Sequence, residues 1–108
     1  MSKGTVLLIC AAGMSTSLLV TKMQRVVERE NRNLEVVAAS VSEMDEAIQN
    51  YDVKILLLGP QVRFLEEKYK EILNPKGIPV SIVSMRDFGM MDGEAVMHSA
   101  IEVMEGGE

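Results

Sequence analysis

The chain has 108 residues, of which 47% are hydrophobic and 25% charged, with a formal net charge of -5. These are the proportions of one domain spanning residues 1–108 that buries a core without covalent staples, and they exclude a disordered tail. A single cysteine excludes an internal disulfide and points to a reducing compartment, no Cys/His cluster is present to hold a metal, and the absence of a basic patch or aromatic-rich strand argues against nucleic-acid binding. No apolar run approaches the ~20 residues that span a bilayer, and residues 1–4 are too short and polar for a signal peptide, so a cytoplasmic location is expected.

Residues 6–9 are a continuous apolar run, the pattern of a strand buried on both faces in the middle of a parallel sheet. Cys10 ends that strand. From Ser17 the period changes, and Leu19, Met23 and Val26, with Leu18 and Val27 beside them, define an amphipathic helix entered through Ser15, Thr16 or Ser17 as N-cap. Cys10 is therefore expected to face a helix N-terminus, where unpaired amides and the peptide dipoles favour an anion, either a phosphate or a cysteine thiolate of lowered pKa. Ala11, Ala12 and Gly13 let the backbone approach such an anion closely. A cysteine at the end of a buried strand is also often just a small hydrophobe; the loop that follows favours function.

Residues 31–33 read as a turn and residues 34–39 as a more polar strand suited to a sheet edge. Ser40, with Glu43 three residues on, or Ser42 caps a short helix with Met44, Ala47 and Ile48 on its apolar stripe, ended by Tyr51 and Asp52. Residues 53–58 are a second interior strand, and Gly59-Pro60 opens a third helix that buries Val62, Leu65, Tyr69, Ile72 and Leu73. Residues 74–77 close it. Residues 79–83 form the last strand, residues 84–93 a loop, and Asp92 caps a final helix carrying Val96, Ala100, Val103 and Met104, after which residues 105–108 are expected to fray.

The alternation predicts an α/β fold, a four-stranded parallel sheet of order 2-1-3-4 with helices on both faces, similar to the low-molecular-weight tyrosine phosphatase fold. Ligands of such sheets bind beyond the strands' carboxyl ends where the order reverses, which brings residues 10–17, 59–61 and 84–93 together and selects Cys10 independently of its chemistry.

The run Cys-Ala-Ala-Gly-Met-Ser-Thr-Ser-Leu-Leu-Val from Cys10, the later Leu-Leu-Gly-Pro-Gln at 57–61, and Gly89 with Asp92-Gly93 resemble the lactose/cellobiose-type enzyme IIB of the bacterial sugar phosphotransferase system over essentially the whole chain. Where relatives often carry tyrosine before that glycine, this chain has Phe88. The resemblance implies that Cys10 takes a phosphoryl group from a histidine of a phosphorylated IIA protein. Cys10 then passes it to a β-linked disaccharide such as cellobiose, chitobiose or lactose bound in the membrane protein IIC, with no cofactor and no membrane contact except through IIC. A phosphocysteine needs donors without a cation that would hold it too firmly. The amides of Ala11, Ala12, Gly13, Met14, Ser15, Thr16 and Ser17 and the three hydroxyls supply them, with Gln61 a further donor or else a solvated helix-start residue.

The rival reading is a low-molecular-weight phosphatase or arsenate reductase. Such a phosphatase clamps phosphate with an arginine six residues after the cysteine, where this chain has Thr16, and its leaving-group acid would fall to Asp87 or Asp92. A third reading is a binding module with an inert cysteine. His98 shares a helix face with Glu94 and Glu102 and reads as a solvated side chain. Met14, Met90 and Met91 fall in loops near Cys10, where soft side chains suit a protein that docks two unlike partners.

Overall fold

A computed structural model describes residues 3–11 and 17–107. Four strands, β1 (Gly4–Cys10), β2 (Leu34–Ser40), β3 (Val53–Leu58) and β4 (Val80–Ile82), form one parallel sheet in the order β2-β1-β3-β4, as the alternation predicts. Every residue of β1 is buried. The alternation of side chains along it divides the core in two. Val6, Leu8 and Cys10 pack under α1 (Ser17–Arg29) and α5 (Gly93–Glu102), with Leu19, Met23, Val96 and Met97. Leu7 and Ile9 point the other way, into Met44 and Ala47 of α2 (Met44–Asn50) and Tyr69 and Leu73 of α3 (Glu66–Leu73). At about 1.5–3 kcal/mol for each large aliphatic side chain withdrawn from water, these two half-cores dominate the stability.

As expected, β2 is the edge, with most of its residues only half-buried. Its outward amides are partly shielded: Val36 N–H donates to Gln24 Oε1 of α1 at 2.9 Å and Ser40 N–H to Glu43 Oε1 at 3.0 Å, which removes donors another strand would need. Ser40 is the cap chosen, preceding a 3-10 turn (Val41–Glu43) that leads into α2. Across the sheet's other face, Tyr69 donates its hydroxyl proton to Asp45 at 2.7 Å and so fastens α3 to α2.

Several local expectations are corrected. Ser17 is the first helical residue of α1 and so is not its cap; Ser15 and Thr16 lie outside the described residues. The chain after Gly59 runs first as a 3-10 segment (Pro60–Leu65) and becomes α-helical only at Glu66, with Val62 out of helical geometry at φ -119° and ψ 22°. Ile72 is exposed, because it lies ~100° around the helix from Leu73 and outside the stripe that Tyr69 and Leu73 set. The segment expected as a loop holds a short helix, α4 (Met85–Gly89), capped by Ser84 Oγ, which accepts from Asp87 N–H at 3.1 Å. The end of α5 does not fray at once. It continues as a wide turn (Val103–Gly107), and Glu105 pairs with Arg32 at 3.2 Å.

Asp92 caps α5 as expected, accepting from Ala95 N–H at 3.1 Å. The residue after it lets α5 sit directly on α1: a Cβ on Gly93 would lie 2.8 Å from the Lys22 carbonyl carbon and 2.8 Å from the Met23 nitrogen. Backbone cannot yield as a flexible side chain does. Gly93→Ala is therefore expected to lower stability by about 1–3 kcal/mol, the cost of overpacking a close contact. Urea unfolding measures it, and an unchanged midpoint would show that α1 and α5 are not in the close contact described.

Candidate functional site

The order β2-β1-β3-β4 reverses direction at β1, so the crevice beyond the sheet's carboxyl end opens between β1 and β3. Cys10 is the last residue of β1, paired in register with Ser40 of β2, and it lies at that crevice. On its β3 side the chain comes very close. Gly59 donates its N–H to Ile9 C=O at 2.8 Å, and a Cβ on Gly59 would lie 3.5 Å from Cys10 Sγ, 3.3 Å from Ile9 O and 3.3 Å from Gln61 Oε1. The absence of a side chain at Gly59 thus keeps space open beside the sulfur, and Gln61, exposed to water, folds its carboxamide back toward the same place. From the third connection, Val83 and Phe88 are buried in the same apolar cluster as Cys10. An aromatic ring at 88 needs no hydroxyl for that packing role.

The approach of Gly59 and Gln61 to Cys10 is thus as expected, while the segment after β4 contributes Val83 and Phe88 to the core that also contains Cys10. Ala11 is half-buried and follows β1 directly; Ser17 is exposed, its carbonyl accepting from Thr21 Oγ1 at 2.8 Å. Ala12, Gly13, Met14, Ser15 and Thr16 lie outside the described residues. Of the three methionines expected to suit docking, Met14 lies outside the described residues, Met90 is exposed beside the α4 to α5 connection, and Met91 takes a left-handed φ of 52° and packs against the core.

Cys10 is buried, and burial pushes its thiol up from 9.0 to about 11. The shift is opposite to the lowering expected from the helix N-terminus, and its cause is the withdrawal of the sulfur from water. At neutral pH the resting sulfur is a neutral thiol. His98 plays no part here. It is exposed, as expected of a solvated side chain, with its Nε2 2.9 Å from Glu30 Oε2, and on the same helix Glu94 pairs with Arg29 of α1 at 2.7 Å.

The family model for the lactose/cellobiose-specific IIB subunit of the phosphotransferase system matches residues 5–99. The chain belongs to that family. It is 36% identical over 107 residues to a galactose-specific EIIB component of Lactococcus lactis subsp. cremoris, covering 96% of this chain and 99% of the relative. Identity and coverage are the same for a cellobiose-specific EIIB component of Lactococcus lactis subsp. lactis. An oligo-beta-mannoside-specific EIIB component of Bacillus subtilis is 33% identical, over 92% of this chain and 94% of that one. Among solved structures, the cellobiose-specific IIB component of Borrelia burgdorferi matches 97% of this chain and 94% of its own, with a TM-score of 0.72 and 36% identity. A lactose-specific IIB domain of Streptococcus pneumoniae has the same fold, with a TM-score of 0.75 at 14% identity over 94% of this chain and 97% of that one. No helix among the described residues of this family member is long and apolar enough to cross a membrane.

The raised thiol pKa has a direct readout. The rate of Cys10 alkylation by iodoacetamide is expected to rise by about tenfold per pH unit through pH 9 toward 11, since only the thiolate reacts. The folded pKa lies above the unfolded one, so this group's contribution to stability is complete below about pH 9 and is lost as pH rises to about 11. A plateau in alkylation rate near neutral pH would contradict a buried neutral thiol.

Proposed function

We propose that the chain is the cytoplasmic phosphocarrier of a sugar uptake system and that Cys10 is its phosphoryl acceptor. The observation that carries the reading is the placement of the chain's one cysteine at the carboxyl end of the central strand, at the switch point and against Gly59, in a member of the IIB family. The donor is a phosphohistidine of a IIA partner, and the final acceptor is a sugar hydroxyl bound in a membrane IIC partner. Relatives named for cellobiose and oligo-beta-mannoside support a β-linked sugar of the cellobiose, chitobiose or lactose type.

The neutral thiol fits the balance of this transfer. As the sulfur–phosphorus bond forms and the nitrogen–phosphorus bond of phosphohistidine breaks, the thiol proton passes to the departing imidazole nitrogen, which needs one to leave as neutral histidine. No outside base is required. In the second transfer the phosphorus moves from sulfur to a sugar oxygen, and the hydroxyl proton returns to the sulfur. The resting state is thereby restored, and thiolate is present only while a partner covers the site. The transferred group is held by backbone amides of residues 11–17 and the hydroxyls of Ser15, Thr16 and Ser17, with Gln61 at the opposite lip. These donors carry no full positive charge, which suits a group that must leave again. A hydrolase needs the reverse, a permanent clamp and a ready thiolate, and Thr16 in place of an arginine together with the raised Cys10 pKa argues against one.

Intact-mass analysis after incubation with phosphorylated IIA protein is expected to show one added phosphoryl group on the wild type and none on Cys10→Ser. The free protein is expected to hydrolyse p-nitrophenyl phosphate negligibly. Phosphorylation that persists in Cys10→Ser would overturn the acceptor assignment, and Cys10-dependent turnover of the aryl phosphate would restore the phosphatase reading.

A further inference from the structure

In a chain of net charge -5, α1 is basic: it carries Lys22, Arg25 and Arg29 against a single carboxylate, Glu28. Spacings of three and four residues set the three cations along one face of the helix. That face is one wall of a groove of about 400 Å³, within the size range of small-molecule sites, with Val26 beside it and Met90 and Met91 across from it. Gly93 lies against the stem of Lys22, which brings the α4 to α5 connection alongside α1 and closes the groove on its second side. The groove lies on the flank of the molecule. At 1.5 Å per residue, Lys22 and Arg25 are ~8 and ~12 Å along α1 from Ser17, so the site is separate from the segment that follows Cys10.

Lys22 and Arg25 form no ion pair among the described residues. Two carboxylates line the groove, and both are engaged: Glu94 holds Arg29 at 2.7 Å, and Asp92 accepts from Ala95 N–H at 3.1 Å as the cap of α5. Two more are close but outside the lining. Glu28 lies ~120° around α1 from Lys22, on the side away from Val26, and Glu30 is taken up by Arg32 at 3.0 Å and His98 at 2.9 Å. With Arg29 and Glu94 neutral as a pair, Lys22 and Arg25 leave the groove an excess of positive charge over Asp92. An anion is drawn to such a wall, and the apolar side chains opposite it suit an uncharged body attached to that anion.

We propose that this groove is a binding site for a soluble phosphomonoester, with the phosphate between Lys22 and Arg25 and the uncharged body of the ester against Met90 and Met91. Residues three apart on a helix have Cβ atoms about 5–6 Å from each other, so both side chains reach one tetrahedral group. The guanidinium bonds two phosphate oxygens as a fork, and the ammonium meets the third as a point charge. The site does not depend on the phosphoryl-acceptor reading above. It is a second anion site of opposite design, held by cations, whereas the segment from Cys10 to Ser17 contains no lysine or arginine.

The test is a titration of the isotopically labelled protein with glucose 6-phosphate, followed by amide NMR, with glucose and inorganic phosphate as comparison ligands. Saturable shifts are expected for residues 22–26 and 90–94, with a Kd on the order of 1 mM that rises with salt; inorganic phosphate is expected to bind about threefold more weakly or worse, and glucose not at all. Lys22→Gln/Arg25→Gln is expected to weaken binding by about tenfold or more, and Met90→Ala by about threefold. Lys68→Gln/Lys76→Gln, which removes the same charge elsewhere on the surface, is expected to stay within about twofold of wild type. Thermal unfolding confirms that these variants are folded. No saturable shift up to ~20 mM, or binding that survives in Lys22→Gln/Arg25→Gln, would overturn the site. Shifts confined to residues 10–17 would place the ester at Cys10 and overturn the flank site without touching the acceptor reading. Equal binding of inorganic phosphate would overturn the role of the ester's body. Sedimentation with phosphatidylglycerol vesicles that needs Lys22 and Arg25, without any response to glucose 6-phosphate, would assign the groove to a lipid surface and overturn the soluble ligand.

Discussion

All seven residues of β1 are shielded from water, and a strand covered on both faces must lie inside the sheet with helices above and below. From that constraint follow the two half-cores, the placement of β3 beside β1, and the edge position left to the more polar β2. It also fixes the end of the strand. Cys10 cannot withdraw or swing without disturbing the most buried element of the chain, so its sulfur is held at the sheet's carboxyl end against Gly59.

Burial that positions the sulfur also raises its pKa, and the two effects belong together. A rigidly held thiolate at the mouth of an open crevice would react with passing electrophiles; a neutral thiol does not, and on the proposed reading it becomes a nucleophile only when a donor's imidazole takes its proton. On the same reading, amide donors without a cation would hold a phosphoryl group well enough to carry it and loosely enough to release it.

Much of this was legible because apolar runs are hard to read any other way. Residues 6–9 and 53–58 read only as interior strands, and their alternation with helical stripes leaves one economical sheet order, which places Cys10 at the switch point. Short elements were harder. The five residues of α4 do not repeat an apolar period, and their one readable sign is a cap, Ser84 three residues before Asp87. Ile72 was assigned to the buried stripe because an apolar residue one step from Leu73 looks equivalent in a list, yet ~100° of rotation separates the two. The direction of the thiol pKa is hidden for another reason: a sequence shows that a helix starts nearby, but not how far the sulfur is withdrawn from water, and that withdrawal raises it. The approach of Gly59 to Cys10 was likewise a matter of angstroms that no spacing reveals.

The central claim is that the phosphoryl group resides on Cys10 within donors from the crevice between β1 and β3. Two-dimensional amide NMR of the isotopically labelled protein before and after phosphorylation tests it most directly, because an amide that donates to a phosphate shifts and a distant one does not. The largest shifts are expected for residues 11–17, with Gly59 and Gln61 next. Shifts centred on Glu30, Glu94 and His98, with the amides around Cys10 unmoved, would contradict the account.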